Sequence, residues 1–287
     1  MTAANPADAP TRSVAEVVAA LEHRYPTAWA ETWDRVGLVL GEPGAPARRA
    51  LCVVDCVPET VGQALAVGAD LIVAHHPLLL RGVSSVAPTT FKGRIVHDLI
   101  RAGVALYVAH TNADVANPGV SDALAARLGL TGLRPLRPAA PGTAAAGDGR
   151  GIGRIGRLPE PMSLTDFAKL AARQLPATAW GVRAAGDPDR VVQLVAVSGG
   201  AGDSYLADAA AAGVDVFLTS DLRHHPAGEH LAAGGPALVD AAHWATELPW
   251  LDALAGQLRD LGLDVVVSDL DTDPWTIHHP SPLKETL

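Results

Sequence analysis

Histidine and carboxylate side chains recur in this chain directly after apolar segments, at positions where they could hold metal ions. Three such segments are followed by His75, His76, His110, Asp114, His243 and Glu247. A continuous apolar segment bounded by turn residues is typical of a buried parallel strand, and sites in open α/β sheets form beyond the carboxyl ends of such strands. Imidazole and carboxylate without thiolate suit Zn, Fe, Mn, Ni or Co. The pattern therefore predicts two divalent metal ions that activate a shared water.

The alternative interpretation is that these are unrelated polar residues at the ends of buried strands. An internal repeat argues against it, because residues 50–74 and 191–218 both follow the order strand, turn, helix, Gly-x-Asp, strand. Both copies then continue into a strand that ends in His-x-x-x-acid, beginning at His110 and at His243. The second copy supplies further candidates for the site in Asp221, His224 and His225.

The elements that would position these residues form βαβ units. Residues 50–57, 71–74 and 104–109 are predicted as strands separated by helices, an order that requires parallel strands and right-handed crossovers. We therefore predict an α/β fold with two similar α/β halves that are related by an internal repeat and face a metal-containing cleft.

The boundary between the halves is predicted from composition. Residues 1–134 form the first half, of which 1–12 are a frayed tail. Residues 135–150 contain almost no bulky apolar residue and are predicted as a linker or loop. Residues 151–287 form the second half. Its last strand, residues 263–268, could pair with either half.

Several flanking elements have local signals. Ser13 and Glu16 form a capping box before a helix, and Ser163 caps a helix over residues 163–175. Residues 151–158 are predicted as an edge strand. Residues 247–261 have the spacing of a helix.

The glycine-rich turn at residues 198–202 has two interpretations. It follows a predicted strand and precedes a predicted helix, so it could seat an anion at the start of the helix. It lacks the spacing of a Walker loop or of a dinucleotide-binding turn, and a close crossing of two backbone segments explains the glycines equally well.

Composition excludes some functions. The formal net charge of -9 argues against sequence-independent nucleic-acid binding, which needs a basic surface. Cys52 and Cys56 are predicted as small buried apolar residues. The chain shows no charged-then-apolar signal pattern and no apolar stretch of membrane-spanning length, so we expect a cytoplasmic protein with no membrane partner.

The ordered motifs resemble those of the NIF-three-like family (NGG-interacting factor three; GTP cyclohydrolase I type 2 homologues). They are Trp33-Asp34-x-Val36-Gly37-Leu38-x-x-Gly41, Ala74-His75-His76-Pro77, His110-x-x-x-Asp114, Ser198-Gly199-Gly200-Ala-Gly202 and His243-x-x-x-Glu247. The resemblance covers nearly the whole chain. It implies two α/β halves facing a cleft, a dinuclear metal centre and a toroidal hexamer.

The resemblance also implies roles for particular residues. The family's metal ligands fall on His75, His76, Asp114, His243 and Glu247. His110 is then a close neighbour, and Asp221 and His225 match a Thr-Gly-Asp-x-x-x-His stretch of the family. By composition alone, Trp33 and Asp34 are a packed aromatic residue beside a turn.

Two departures from the family pattern stand out, besides Ser220 in place of the glycine before Asp221. Arg35 stands where many members have Asn, so a hydrogen bond made by that Asn would be absent. The linker at residues 135–150 is too short for the extra domain that longer members insert, which indicates the compact form.

Two functions follow from these patterns. The first is a metal-dependent hydrolase in which activated water attacks a small-molecule substrate, with His110, His225 or Asp221 handling protons. The resemblance supplies a nucleotide, GTP, whose purine would be opened at C8. The second is a non-catalytic ring that binds metal or a protein partner in a structural or regulatory role.

Overall fold

A computed structural model of the chain describes residues 11–139 and 148–279. Its strands are β1 (Arg12–Ser13), β2 (Gly37–Leu40), β3 (Pro46–Ala47), β4 (Arg49–Val53), β5 (Leu71–Ala74), β6 (Ala105–Val108), β7 (Thr131–Pro138), β8 (Gly151–Ser163), β9 (Val182–Ala185), β10 (Val191–Ala201), β11 (Val216–Ser220), β12 (Ala237–Ala241) and β13 (Asp264–Val267). Its α-helices are α1 (Val14–Arg24), α2 (Pro58–Val67), α3 (Phe91–Ala102), α4 (Thr111–Asp114), α5 (Val120–Arg127), α6 (Leu164–Gln174), α7 (Leu206–Ala211), α8 (His224–Ala232), α9 (His243–Glu247) and α10 (Trp250–Asp260). The predicted α/β class is therefore confirmed.

The first sheet has five strands in the order β13-β4-β5-β6-β2. The first four are parallel, and β2 runs antiparallel to β6 at the edge. The C-terminal strand β13 thus pairs with β4 in the first sheet, which decides between the two pairings that the sequence left open. A separate small sheet joins β1 to β3.

The second sheet has six strands in the order β7-β8-β10-β11-β12-β9. Only β10, β11 and β12 are parallel to one another. The four strands β10-β11-β12-β9 have the same order and directions as β4-β5-β6-β2 in the first sheet, with one antiparallel strand at the end. This shared topology is what an internal repeat would produce.

The buried core is continuous between the sheets. One apolar cluster includes Val73 and Tyr107 of the first sheet together with Val195 and Leu218 of the second. Cys52 also belongs to this cluster and Cys56 to a second one, so both thiols are buried and free, as the sequence predicts. Burial raises the pKa of each thiol to about 12.

The predicted caps are present. The Ser13 side chain accepts a hydrogen bond from the Glu16 backbone N–H, and the Glu16 carboxylate accepts one from the Ser13 backbone N–H, which completes the capping box of α1. Ser163 caps α6 in the same way through the backbone N–H of Asp166. The helix predicted to begin at residue 247 instead starts at Trp250, because Pro249 cannot donate the backbone hydrogen bond that would join it to α9.

Two predictions around the linker differ from the structure. Residues 151–158 belong to β8, which is an interior strand between β7 and β10 and not an edge. The first residues of the predicted linker, 135–138, are part of β7. This strand is at the edge of its sheet, where Pro135 and Pro138 are tolerated although they cannot donate hydrogen bonds.

The remaining linker residues 140–147 lie outside the described residues, as does most of the predicted N-terminal tail, residues 1–10. Arg12, also predicted as tail, pairs with Ala47 in the small sheet. Across the part of the chain that the structure describes, every helix is too short or too polar to span a bilayer.

Candidate metal centre

Histidine and carboxylate side chains from both sheets meet between the carboxyl ends of their strands. His75 and His76 follow β5 directly, His110 follows β6, and Asp114 ends the short helix α4. From the second sheet, α9 follows β12 and begins with His243 and ends with Glu247. The three predicted strand ends are therefore brought together.

Glu247 lies at the centre of this cluster. Its Oε1 is 3.1 Å from His243 Nε2 and 3.5 Å from His75 Nε2. Its Oε2 is 3.0 Å from His76 Nε2. Because the i,i+4 spacing on α9 puts His243 and Glu247 on one helix face, the second half supplies an imidazole and a carboxylate as a unit.

The imidazoles also approach one another closely. His76 Nε2 is 3.2 Å from His243 Nε2, so the two halves meet at these rings. His75 Nε2 is 3.7 Å from Asp114 Oδ1. Such contacts between lone-pair-bearing atoms are typical of ligands that share a cation.

The histidines of the first half are oriented by hydrogen bonds through Nδ1. Buried His75 donates from Nδ1 to the backbone carbonyl of Ala109 at 2.9 Å. His76 donates from Nδ1 to Asp55 Oδ1 at 2.7 Å. These bonds fix the tautomer in which the Nε2 lone pair is directed into the cluster.

Two further histidines have carboxylate partners. His110 donates from Nδ1 to Asp34 Oδ1 at 2.9 Å, and His243 donates from Nδ1 to Asp221 Oδ2 at 2.7 Å. Asp34 also accepts hydrogen bonds from the backbone and hydroxyl of Thr111. All four histidines therefore keep Nε2 for the centre of the site.

Two atoms at the centre fit a metal ion because they are buried without a hydrogen-bond partner. Within the described residues, His75 Nε2 and Glu247 Oε2 have none. The 3.0 Å approach of Oε2 to His76 Nε2 is close, but its angles do not meet those of a hydrogen bond. Since unpaired buried polar atoms are costly, both atoms would gain from a bound cation.

The ligand atoms form two groups of the size that a metal ion needs. One group is His75, His76 and His110, and the other is His76, His243 and Glu247. Within each group the ligand atoms lie within 4.8 Å of one another. These buried His and Glu groups could therefore hold a metal ion.

The carboxylates of the cluster favour positive charge on its imidazoles. Burial disfavours the imidazolium of His76, but the charge of Glu247 and the hydrogen bond with Asp55 outweigh burial and raise the pKa of His76 to about 10. For His243, the charge of Glu247 and the bond with Asp221 likewise outweigh burial and raise the pKa to about 11. Divalent cations supply the same positive charge as these protons.

The pKa values of the acidic groups in the cluster shift in different directions. Burial opposes ionisation of Glu247, but the charges of His243 and His76 outweigh it and hold the pKa of Glu247 well below its usual range. Burial raises the pKa of Asp114, and the nearby histidines only partly offset this. Hydrogen bonds from His110 and Thr111 overcome burial at Asp34 and keep its pKa well below its ordinary value.

The glycine-rich segment lies directly against side chains of the cluster. Strand β10 continues through Ala201, so Gly199 and Gly200 belong to the strand itself and do not precede a long helix. A Cβ on Gly200 would lie 2.4 Å from Glu247 Oε1 and 3.0 Å from His243 Nε2. Gly200 also has φ +65°, which favours glycine. At Gly200 the close approach is therefore between the strand backbone and the side chains of α9, and this approach explains the glycine better than an anion seat does.

The cluster faces a cavity of ≈ 600 Å³. His76, His110, Asp114, His243 and Glu247 line it together with side chains from both halves. Four tryptophans line it, and three of them, Trp33, Trp180 and Trp275, are not fully buried and contribute aromatic walls, whereas Trp244 is buried. A volume of this size accommodates a small molecule.

Other predicted site residues have varied positions. Asp221 lines the cavity and contacts His243, and it adopts φ 57°, an uncommon conformation for a residue other than glycine. His224 and His225 are exposed at the start of α8, and the structure does not bring them into the cluster. Arg35 is exposed, its guanidinium donates to the backbone carbonyl of Asp34, and its backbone N–H donates to Asp34 Oδ1, the oxygen that also accepts from His110.

Three residues of the hydrogen-bond network around the histidines are not among the site residues predicted from the sequence. For Asp34, the sequence indicates a turn residue within the motif that begins at Trp33. Asp55 lies two residues beyond the end of β4, so the signal that identified the histidines after β5 and β6 also applies to it. Thr272 donates to Asp55 Oδ2 from the C-terminal tail, and no local pattern marks it.

Known proteins are similar to this chain in both sequence and fold. Residues 12–274 match the family described as Duf34/NIF3 (NGG1p interacting factor 3). A Streptomyces coelicolor relative named GTP cyclohydrolase 1 type 2 homolog is 52% identical over 271 residues, covering 92% of this chain and 94% of that protein. A Clostridium perfringens relative of the same name is 30% identical over 264 residues, covering 91% of this chain and 97% of that protein.

Solved structures agree with this assignment. The crystal structure of a Bacillus cereus protein related to NIF3 has a TM-score of 0.85 and 25% identity, and it covers 94% of this chain and 100% of that chain. These matches confirm the resemblance inferred from the motifs around Trp33, His75, His110, Ser198 and His243. The chain belongs to the Duf34/NIF3 family.

Proposed function

We propose that this protein is a hydrolase that uses two divalent metal ions and acts on a small molecule. The observation that carries the proposal is the cavity of ≈ 600 Å³ that opens onto the cluster. Structural metal sites are closed by protein ligands, whereas catalytic sites keep access for substrate. A cluster that faces a substrate-sized cavity supports catalysis over a purely structural role.

Five residues would hold the two ions. They are His75, His76, Asp114, His243 and Glu247. Glu247 is suited to contact both, because its two oxygens approach histidines of both halves. When bound, the two ions would supply Lewis acidity and lower the pKa of a water molecule. Zn, Fe, Mn, Ni and Co all remain compatible with imidazole and carboxylate ligands.

His110 is the residue best placed to hold or move a proton. It lines the cavity, and Asp34 fixes its ring so that Nε2 is directed away from the Nδ1 hydrogen bond. A carboxylate that accepts from Nδ1 holds the ring of a general base in its working orientation in the same way. Asp221 orients His243, whereas the exposed His225 has no part in this proposal.

The relatives' names suggest the substrate. Because they are called GTP cyclohydrolase 1 type 2 homologs, GTP is the first substrate to test on this chain. Water would add to C8 of the purine, and the C8–N9 bond would break with a proton transferred to N9, which opens the five-membered ring to a formamide. A hexameric ring and a cytoplasmic location remain parts of the same proposal, and light scattering of the purified protein tests the former.

A turnover assay tests the proposal. Metal-loaded protein is incubated with GTP and with a panel of phosphoesters, and products are followed by chromatography. We expect turnover that Glu247→Ala abolishes and that Asp252→Ala retains, since Asp252 is an exposed carboxylate on the following helix. No turnover of any compound, with Glu247→Ala indistinguishable from wild type, would favour the non-catalytic metal-binding or partner-binding ring.

A further inference from the structure

The aromatic wall of the cavity on the second-half side consists of two tryptophans in contact. The rings of Trp180 and Trp275 have centroids 5.7 Å apart and an interplanar angle of 38°. Both line the same cavity as His243 and Glu247. Trp275 is 59% exposed, so a large part of its indole is open to the cavity and to solvent.

Trp180 is held firmly from the second sheet. Its indole Nε1 donates to Asp240 Oδ2 at 3.3 Å, and the same oxygen accepts from Arg183 Nε at 2.7 Å. The guanidinium of Arg183 lies over the Trp180 ring, with Cζ 4.5 Å from its centroid. Because Asp240 is buried, this arrangement gives the wall a rigid base.

Trp275 is held from the opposite half. The tail that follows β13 is anchored where Thr272 donates to Asp55 Oδ2, and Asp55 is the carboxylate that orients His76. A second anchor is the backbone N–H of Trp275, which donates to Asp273 Oδ1 at 2.9 Å. The tail therefore places an exposed indole in the wall of the cavity that the metal cluster faces.

The Trp275 indole packs against Trp180 at a tilt of 38°, and Trp180 also carries the Arg183 guanidinium. Trp275 itself is mostly uncovered. A planar π system can stack on such an uncovered indole, and each base stacked on an aromatic side chain gains substantial binding free energy. An aliphatic ligand fits less well, because Asp55, Asp114, Asp221 and Asp273 also line the cavity.

We propose that Trp180 and Trp275 form a stacking site for a planar heteroaromatic ring, with Trp275 contacting the ring directly. The assignment of this ring to the substrate rests on the proposed function. The ring would lie on Trp275 while the rest of the molecule reaches His76 and His243. Trp275 is then a specificity-determining residue, and Arg183 is a positioning residue that acts through Trp180.

Isothermal titration calorimetry with two probes tests the stacking site. Guanosine 5′-monophosphate carries the ring, and ribose 5-phosphate has the same sugar and phosphate without it. We expect Trp275→Ala to weaken binding of guanosine 5′-monophosphate by about tenfold or more, and to leave binding of ribose 5-phosphate unchanged. Trp275→Phe should restore most of the difference, because a smaller aromatic ring still stacks.

Trp33→Ala is the matched control. Trp33 lines the same cavity and is 54% exposed, but it lies beside His110, with the ring centroids 6.0 Å apart, and not beside Trp180. We expect this variant to change ring binding by less than about threefold. Equal losses in Trp33→Ala and Trp275→Ala would overturn the proposal, as would wild-type protein that binds both probes equally or binds neither.

The calorimetry and the turnover assay fail independently. Trp275-dependent binding of guanosine 5′-monophosphate by a protein that turns nothing over would leave the stacking site standing and defeat the proposed hydrolase. Turnover of a phosphoester that is insensitive to Trp275→Ala, together with no ring-dependent binding, would defeat the stacking site alone. Circular dichroism and a thermal melt of each variant show whether it is folded.

Discussion

The two halves contribute to the cluster in unequal ways. His75, from the first half, is fully buried and donates to a backbone carbonyl. His243, from the second half, has a side chain that is 33% exposed and donates to Asp221, whose side chain is 56% exposed. His75 of the first half thus provides a fixed base for the site, and His243 with Asp221 of the second half provides a side that solvent and ligands can reach.

The buried side of the site keeps the metal ligands in position, and the exposed side admits water and substrate. Side chains on the buried side have few alternative conformations, so they keep their geometry whether or not a cation is bound. Those on the exposed side border the cavity and can exchange water or substrate. Substitutions on the two sides should therefore differ in their effects on stability and on metal content.

The largest contrast is expected between His75→Ala and His243→Ala. The first leaves a buried cavity and an unpaired Ala109 carbonyl, and should cost about 2–4 kcal/mol of unfolding free energy and most of the bound metal. The second leaves no buried cavity, because His243 is partly exposed, and should cost less unfolding free energy than the first while losing one ion. Denaturant unfolding of metal-free protein measures the stability of each variant, and elemental analysis measures its metal content. Equal losses of unfolding free energy in the two variants would contradict the difference between the buried and the exposed histidine.

A second prediction concerns Gly200 of β10, whose backbone lies against Glu247 and His243. Gly200→Ala would place a methyl group 2.4 Å from Glu247 Oε1 and should abolish most metal binding. Gly213→Ala is a matched control, because Gly213 has the same φ of +65° and nothing within 4 Å of its Cβ position. Both should lose about 1 kcal/mol of stability from the backbone strain. Equal metal content in the two variants would contradict the close contact between Gly200 and the Glu247 side chain.

The carboxylates that orient the histidines provide a third test. Asp55→Asn and Asp221→Asn each weaken a hydrogen bond to an imidazole, and such partners contribute about 10- to 100-fold to metal affinity. We expect Asp55→Asn at the upper end, since Asp55 is only partly exposed and also accepts from Thr272. Competition with a chelator measures the affinity. A larger loss of metal affinity for Asp221→Asn than for Asp55→Asn would show that the more exposed carboxylate contributes more to holding the metal.

A further prediction is a pH dependence that both sides share. In metal-free protein the pKa of His76 is raised to about 10 and that of His243 to about 11. Their pKa values in the unfolded chain are about 6.5, so the stability from these protons is complete below about pH 6.5, falls as the pH rises, and is lost above about pH 10 for His76 and about pH 11 for His243. We expect the melting temperature of metal-free protein to fall between pH 7 and 10.

Metal-loaded protein is the control for this titration, because bound cations replace the protons. Its melting temperature should change less over the same range. A melting temperature of metal-free protein that rises with pH, or that follows the metal-loaded curve, would show that the charges of Glu247 and its neighbours do not act as described.

Local signals in the sequence predicted much of the fold. The apolar segments before His75, His110 and Ala242 became buried strands because continuous apolar character suits a sheet covered on both faces. Caps at Ser13 and Ser163 depend on nearby residues and were also predictable. Strand β7 was missed because its two prolines favour a loop, and only its edge position permits them.

The site was predictable where its residues closely follow strands. Strand β11 ends at Ser220, so the residue that it delivers to the site is Asp221, which contacts His243. His225 lies farther along the chain and is not at the site. The internal repeat suggested that His224 and His225 match His75 and His76, but the extra residues move the second pair onto α8. Thr272 and Trp275 could not be predicted, because their positions depend on a long-range pairing of β13 with β4.

That pairing has a consequence for synthesis on the ribosome. Strand β4 is complete early in translation, yet its outer edge receives β13 only after more than two hundred further residues have emerged. Until then, the first sheet presents an open strand edge, which is a template for pairing with other chains. The first half expressed alone would keep that edge permanently, so it should aggregate unless residues 264–267 are fused back to it.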